Sequence, residues 1–222
     1  MLEVVLDTET TGLSIREGHR IVEIGCLELD NLILTKNKFH FYLNPERKVS
    51  EKALEVHGYT DQFLSDKKKF RDIAEEFLNF IEGKRLIIHN AEFDLSHLNN
   101  ELKLIGKKSL DNEIIDTLVL ARNKFSGSSV SLDALCKKYG IDNSKRTQHT
   151  ALIDCALLSK VYINLIDQKE PKLNFRSQEL TKDSDTSQKK ILYFKKIVKV
   201  SDKEKEQHSK YLKNNLKKNF FN

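Results

Sequence analysis

LEVVLDTETTGL, residues 2–13, decides how this chain is read. Its first five residues are a short apolar, β-branched run of the kind that makes a buried strand, and the run ends at Asp7. Side chains two apart in a strand share a face, so Asp7 and Glu9 project together from the strand's end. Two like charges side by side want a counter-ion. A lone pair of this kind also describes two solvated strand-end acids, so its meaning depends on what the rest of the chain brings to it.

Outward from this strand the pattern is mixed α/β. RIVEIGCLEL (20–29) and KFHFYL (38–43) alternate in part, with the turn-prone Asp30-Asn31 between them, and predict an antiparallel meander with the first strand. KFRDIAEEFLNFIEG (69–83) sets Phe70, Ile73, Phe77, Leu78 and Ile81 at helical spacing and stops at Gly83, after which RLIIH (85–89) reads as a fourth strand. FDLSHLNNELKLIG (93–106) carries Leu95, Leu98, Leu102 and Ile105 on one side of a helix. EIIDTLVLARNKF (113–125) reads as strand turning into helix, and SLDALCKKYG (131–140) as a short helix capped by Ser131 and ended by Gly140. A last body helix, roughly 150–166, is expected to bury Leu152, Ile153, Ala156, Leu157, Val161 and Leu165.

The chain's 222 residues suffice for one domain with a remainder, and the charge separates the two. Residues 1–167 carry 23 Lys+Arg against 26 Asp+Glu, a net of −3; residues 168–222 carry 15 against 7, a net of +8. A basic extension suits nucleic acid, an acidic protein surface, or simply water. RSQELTKDSDTSQKK (176–190) has no sustained apolar period, so residues 168–190 are expected to be a flexible linker. Beyond it ILYFKKIVKV (191–200) is strand-like, and SDKEKEQHSKYLKNNLKKNF (201–220) opens with a capping box, Ser201 and Glu204. A segment this small is a candidate to fold against a partner. Cys26, Cys136 and Cys155 are isolated and lack metal-site spacing, which argues against disulfides or thiolate-bound zinc. No signal-like or membrane-spanning stretch is evident, so a soluble cytoplasmic protein is expected.

Two further acidic stretches join the first. Asp94 follows the strand 85–89 in the first turn of the next helix, where it either serves the helix dipole or emerges beside Asp7. His149 and Asp154 are five apart, about 140° on a continuous helix at about 100° per residue, so they do not share a helical face. If the helix starts at Thr150, Asp154 points at the sheet while His149 stays in the preceding segment, free to approach a substrate. Oxygen ligands at this density suit Mg²⁺ or Mn²⁺, and a histidine beside metal-bound water suits a general base. Asp116, in IIDTL, reads as a structural or capping acid.

As they stand, LDTETTGL (6–13), HNAEFDLSHL (89–98) and HTALIDCALL (149–158) resemble the three motifs of the DEDDh 3′ to 5′ exonucleases. Through VHGYTDQFL (56–64) and residues 131–155 the likeness extends over residues 1–167 to the proofreading, or epsilon, subunits of bacterial replicative polymerases, and more weakly to their polymerase-binding tail at 196–212. The resemblance implies a ribonuclease H-like fold: a mixed sheet, antiparallel meander plus parallel strands, flanked by helices. It implies an exonuclease domain at 1–167 and a basic polymerase-binding tail at 191–222. It further implies two divalent cations, Mg²⁺ or Mn²⁺, on Asp7, Glu9, Asp94 and Asp154, with His149 accepting the proton. Substrate contacts fall on Asp7, Glu9, Asp154, Thr10 and His57, and on Lys52 where some relatives carry an acid. Thr150 stands where a tyrosine-type relative would have its Tyr, which favours the histidine subclass. The implied partners are a DNA 3′ end, the polymerase alpha subunit through the tail, and the sliding clamp through Gln188 and the apolar 191–194. A relative that trims RNA or short oligonucleotides, and a non-catalytic module on the same fold, are the competing readings.

Overall fold

The computed structural model describes residues 1–144, 146, 148–167 and 200–215. The chain divides into two units, Met1–Phe175 and Arg176–Asn222. In the first, a five-stranded sheet has the order β3-β2-β1-β4-β5: β1 (Leu2–Thr10), β2 (Ile21–Asp30), β3 (Ile33–Tyr42), β4 (Arg85–Ile88) and β5 (Ile114–Asp116). β1 to β3 form the antiparallel meander that the sequence predicts, and β4 and β5 extend the sheet in parallel from β1. Around it lie α1 (Glu51–His57), α2 (Asp61–Leu64), α3 (Phe70–Ile81), α4 (Ala91–Leu104), α5 (Thr117–Lys124), α6 (Leu132–Tyr139) and α7 (Ala151–Leu165).

β1 alternates between two cores. Val4 and Leu6 pack with Phe77, Leu86, Leu98 and Leu102 under α3 and α4, while Val5 packs with Ile87, Leu135, Cys155, Leu158 and Val161 under α6 and α7. The strand does not stop at Asp7 as its apolar run suggests. It pairs with β2 through Glu9 opposite Glu23, and a bulge between Glu9 and Thr10 precedes its end. Asp7 and Glu9 are therefore paired strand residues on the α7 face, held by the ladder rather than by a frayed end. β3 likewise starts five residues earlier than expected, because Asn31 and Leu32 (φ 49° and 68°) make a two-residue hairpin turn directly after β2.

α7 starts where predicted, with Thr150 extended (φ −137°) as its N-cap. Its buried face agrees in part, with Leu157, Val161 and Leu165 covered as expected. Leu152, Ile153 and Ala156 are only half-buried, whereas Ala151, Asp154, Cys155, Leu158 and Tyr162 are covered. The close crossing over Gly25 decides this rotation: a Cβ there would lie 2.7 Å from the Ala151 carbonyl carbon. All three cysteines are buried and free, as expected.

In the second unit α8 (Asp202–Asn215) opens with the capping box read from the sequence, Ser201 N donating to Glu204 Oε2 (2.8 Å) and Glu204 N to Ser201 Oγ (3.3 Å). The linker expected at 168–190 and the strand-like 191–199 lie outside the described residues. Among the described residues no helix is long and apolar enough to cross a membrane.

Candidate active site

The site forms at the C-terminal end of β1, where both faces of the strand are used. On the α7 face Asp7 and Glu9 look toward Asp154, one turn into α7. On the opposite face Thr8 donates from its N (3.0 Å) and its Oγ1 (2.7 Å) to Asp94 Oδ1, drawing the first turn of α4 onto the strand. Asp116 completes that arrangement from behind. Its carboxylate accepts from Asn90 N (3.1 Å), Ala91 N (3.0 Å) and Leu118 N (2.8 Å), so it caps α4 and α5 together.

Among the described residues Glu9, His149 and Asp154 each offer a ligand atom, all within 4.8 Å of one another. Asp7 and Asp94 stand outside that triplet yet close enough to act on it. Burial, and then Asp94, Glu9 and Asp154, push the Asp7 carboxyl well above the usual range. Glu9 is raised to about 8 by burial and by Glu23, Asp154 and Asp94; Asp94 is raised to about 7 by burial, against the two Thr8 hydrogen bonds. Acids that raise one another in this way form a site that favours a cation, and an all-oxygen set with one imidazole matches a hard divalent ion.

One functional residue escapes the sequence reading. Arg146, nearly buried, takes both oxygens of Asp154 (Nε to Oδ1 2.5 Å, Nη2 to Oδ2 2.7 Å), with Nη1 on Asp133 at 2.7 Å. Burial raises the Asp154 carboxyl, but hydrogen bonds from His149 and Arg146 outweigh it and hold the group below its ordinary value. The available signal was an arginine three residues before His149 beside an acid-rich motif. Arg146 Nη2 also lies 2.7 Å from His149 Nδ1, and Asp154 Oδ2 lies 3.4 Å from the same atom. Because guanidinium only donates, the first contact needs the tautomer protonated at Nε2 and the second the tautomer protonated at Nδ1.

Beside Glu9 opens a cavity of about 600 Å³, lined by Thr10, Leu13, Lys52, His57 and Phe93 among others. Of the six residues expected at the substrate, Glu9, Thr10, Lys52 and His57 are in its wall and Asp7 and Asp154 are not; the last three of the four have different freedom. Lys52 is exposed. Thr10 Oγ1 is engaged with Gly12 O (2.8 Å). His57, the last residue of α1 and not a turn residue, accepts from Tyr59 N at Nδ1 (3.0 Å), leaving Nε2–H for Thr10 O at 3.3 Å. Burial holds its pKa below the usual histidine value. It offers the cavity a neutral ring rather than a charge.

The fold and this carboxylate constellation define a nuclease, and the chain matches the family described as Exonuclease over residues 4–162. Solved structures agree on the fold: exonuclease X in complex with 5′-overhanging duplex DNA is 25% identical at a TM-score of 0.60, covering 75% of this chain and 92% of that one. The nuclease domain of 3′hExo, a DEDDh family member bound to rAMP, superposes at 0.63 with 17% identity, over 76% and 92%. A DNA polymerase III subunit epsilon of Rickettsia felis is 44% identical over 222 residues, 97% of each chain. That of Escherichia coli K12 is 47% identical over 169 residues, 72% of this chain and 70% of its own. The chain belongs to the DNA polymerase III epsilon family, and it is a 3′ to 5′ exonuclease dependent on divalent metal.

Proposed function

We propose that Asp7, Glu9, Asp94 and Asp154 hold two divalent cations, Mg²⁺ or Mn²⁺, and that His149 takes the proton of the water that attacks the 3′-terminal phosphodiester of DNA. The products are nucleoside 5′-monophosphates. The observation that carries this reading is the convergence of Glu9, His149 and Asp154 within 4.8 Å beside two further acids of raised pKa. Cations held there would lower the pKa of the water and neutralise the leaving 3′ oxygen.

The chain's own groups do the rest. His149, with Nδ1–H turned to Asp154 Oδ2, presents a free Nε2 lone pair to the water; the other tautomer, with Nδ1 facing Arg146, does not. Its ring is half-exposed, so it can reach a bound strand. The terminal nucleotide is read as entering the cavity against Thr10 and the neutral His57, with Lys52 and Glu9 in the same wall and Asp7 and Asp154 as its further contacts.

The reading extends to delivery. A body of net −3 has little net attraction for DNA, so affinity is read as coming from elsewhere. The curated relatives are named as polymerase III subunits, and the basic tail, 191–222, is read as docking on the polymerase alpha subunit, with 168–190 as tether and Gln188 with 191–194 touching the sliding clamp. The setting is the bacterial cytoplasm.

The test is mononucleotide release from a mismatched primer end with Mg²⁺, comparing wild type with Asp7→Ala and His149→Ala. A loss of about 10²-fold or more is expected for each, the scale of a general base or a metal ligand. Wild-type rates in both would end the assignment.

A further inference from the structure

We propose that Glu23 is a positioning residue for hydrolysis, fixing the segment that carries His149 against the wall of the substrate cavity. The inference rests on the assignment of His149 as proton acceptor.

Glu23 sits fully buried in β2, paired across the ladder with Glu9. Its charge helps push Glu9 up, so an acid here works against its neighbour. An apolar side chain would remove that repulsion. What the carboxylate does instead is join three separate pieces of chain. Oε1 meets His40 Nε2 of β3 at 2.7 Å; Oε2 accepts from Tyr59 OH at 2.8 Å and from Ala151 N at 2.9 Å.

The last bond meets a specific need. The first turn of α7 has N–H groups without helical partners, and Thr150 gives no side-chain cap. Glu23 supplies that acceptor from the sheet, and Gly25, two residues on along the same face, lets the Ala151 backbone come close enough to use it. The same oxygen of Glu23 holds Tyr59, whose ring stacks on His57 (centroids 4.8 Å apart) and whose N–H fixes His57 Nδ1. The His149 N–H in turn donates to Val56 O, next to His57, at 3.2 Å.

These bonds make a ring: Glu23 to Ala151, back along the chain to His149, across to Val56, past the end of α1 to Tyr59, and back to Glu23. His149 is bracketed by its own N–H on Val56 and by Ala151 on Glu23. Its half-exposed ring meets Arg146 Nη2 (2.7 Å) and Asp154 Oδ2 (3.4 Å) through Nδ1, and these backbone anchors set the position from which the imidazole reaches them and Glu9. Misplacement of a reacting group by about 1 Å costs on the order of 10²-fold in rate.

The experiment is a double-mutant cycle on the full chain, reading kcat and KM for mononucleotide release. Glu23→Ala is expected to lower kcat by about 10- to 100-fold with KM within about threefold. Glu23→Gln, which keeps one oxygen for Ala151 N and Tyr59 OH, should lose less than about fivefold. In a His149→Ala background, Glu23→Ala should cost no more than about twofold further, because the group it positions is gone. An equal loss in both backgrounds, or a wild-type kcat in Glu23→Ala, overturns the inference. Should Glu23→Ala melt below assay temperature, Glu23→Gln and Tyr59→Phe together pass through the same cycle, and their loss must likewise vanish without His149. The single His149→Ala variant reads the proton-acceptor assignment by itself, so the two failures are distinct.

Discussion

Glu9 shows what burying an acid among acids does to the protein's own stability. Its folded pKa of about 8 stands above the ordinary 4.5, so between those values the folded form keeps a proton that the unfolded form has released. Stability contributed by the protonated form is therefore lost as pH rises through this window. Asp7 and Asp94, raised as well, act in the same direction; Asp154, lowered, acts only at more acid pH. We expect the metal-free protein to lose on the order of a few kcal/mol between about pH 5 and about pH 8, at roughly 1.4 kcal/mol for each tenfold change in proton affinity. Chemical denaturation across that range measures it. Glu9→Gln should flatten the slope and added Mg²⁺ should reverse it by binding only the folded state; a stability that rises with pH would contradict the raised pKa values. Most of these acids were legible in the sequence because DxE alternation and strand-to-helix position are local features. Arg146 was not, since its partners Asp154 and Asp133 meet it only through the fold of the loop between α6 and α7.

At the scale of elements, Asp116 tests the proposed distinction between a ligand and a support. Its carboxylate spans the N-termini of α4 and α5, and α4 carries Asp94. Asp116→Ala should cost about 1–2 kcal/mol, the loss of a helix cap felt at two helices, as read by thermal unfolding. Mg²⁺ affinity measured calorimetrically should fall far less than in Asp94→Ala; an equal fall would make Asp116 a ligand. Helices with strong periodicity, α3 and α6 among them, were readable because each buries one face, and β2, buried on both faces, was readable from its apolar run. The face of α7 was read in part: Leu157, Val161 and Leu165 are buried as expected, and Leu152, Ile153 and Ala156 are not. Its sequence is apolar nearly all round, so period alone does not say which side meets the sheet, and only the approach over Gly25 selects Ala151, Asp154, Cys155 and Leu158.

For the molecule as a whole, removing the basic segment tests the proposed division between chemistry and delivery. Deleting 168–222 should leave release of mononucleotides from single-stranded DNA within about threefold of the full chain, since every group of the site lies in the body, while co-purification with the polymerase alpha subunit is lost and stimulation by it disappears. Retained binding after the deletion would move the docking surface into the body. The acids, the histidine five residues before the last of them, the mixed α/β order and the basic tail were determined by the sequence alone, because strand alternation, helix period and charge are properties of neighbours along the chain. Tertiary structure alone decided how Asp94 is tied to Thr8, how Arg146 grips Asp154, and how buried Glu23 meets Ala151 and Tyr59. Those bonds join residues far apart in sequence, and a hydrogen bond across a sheet exists only once packing has brought its two ends within about 3 Å.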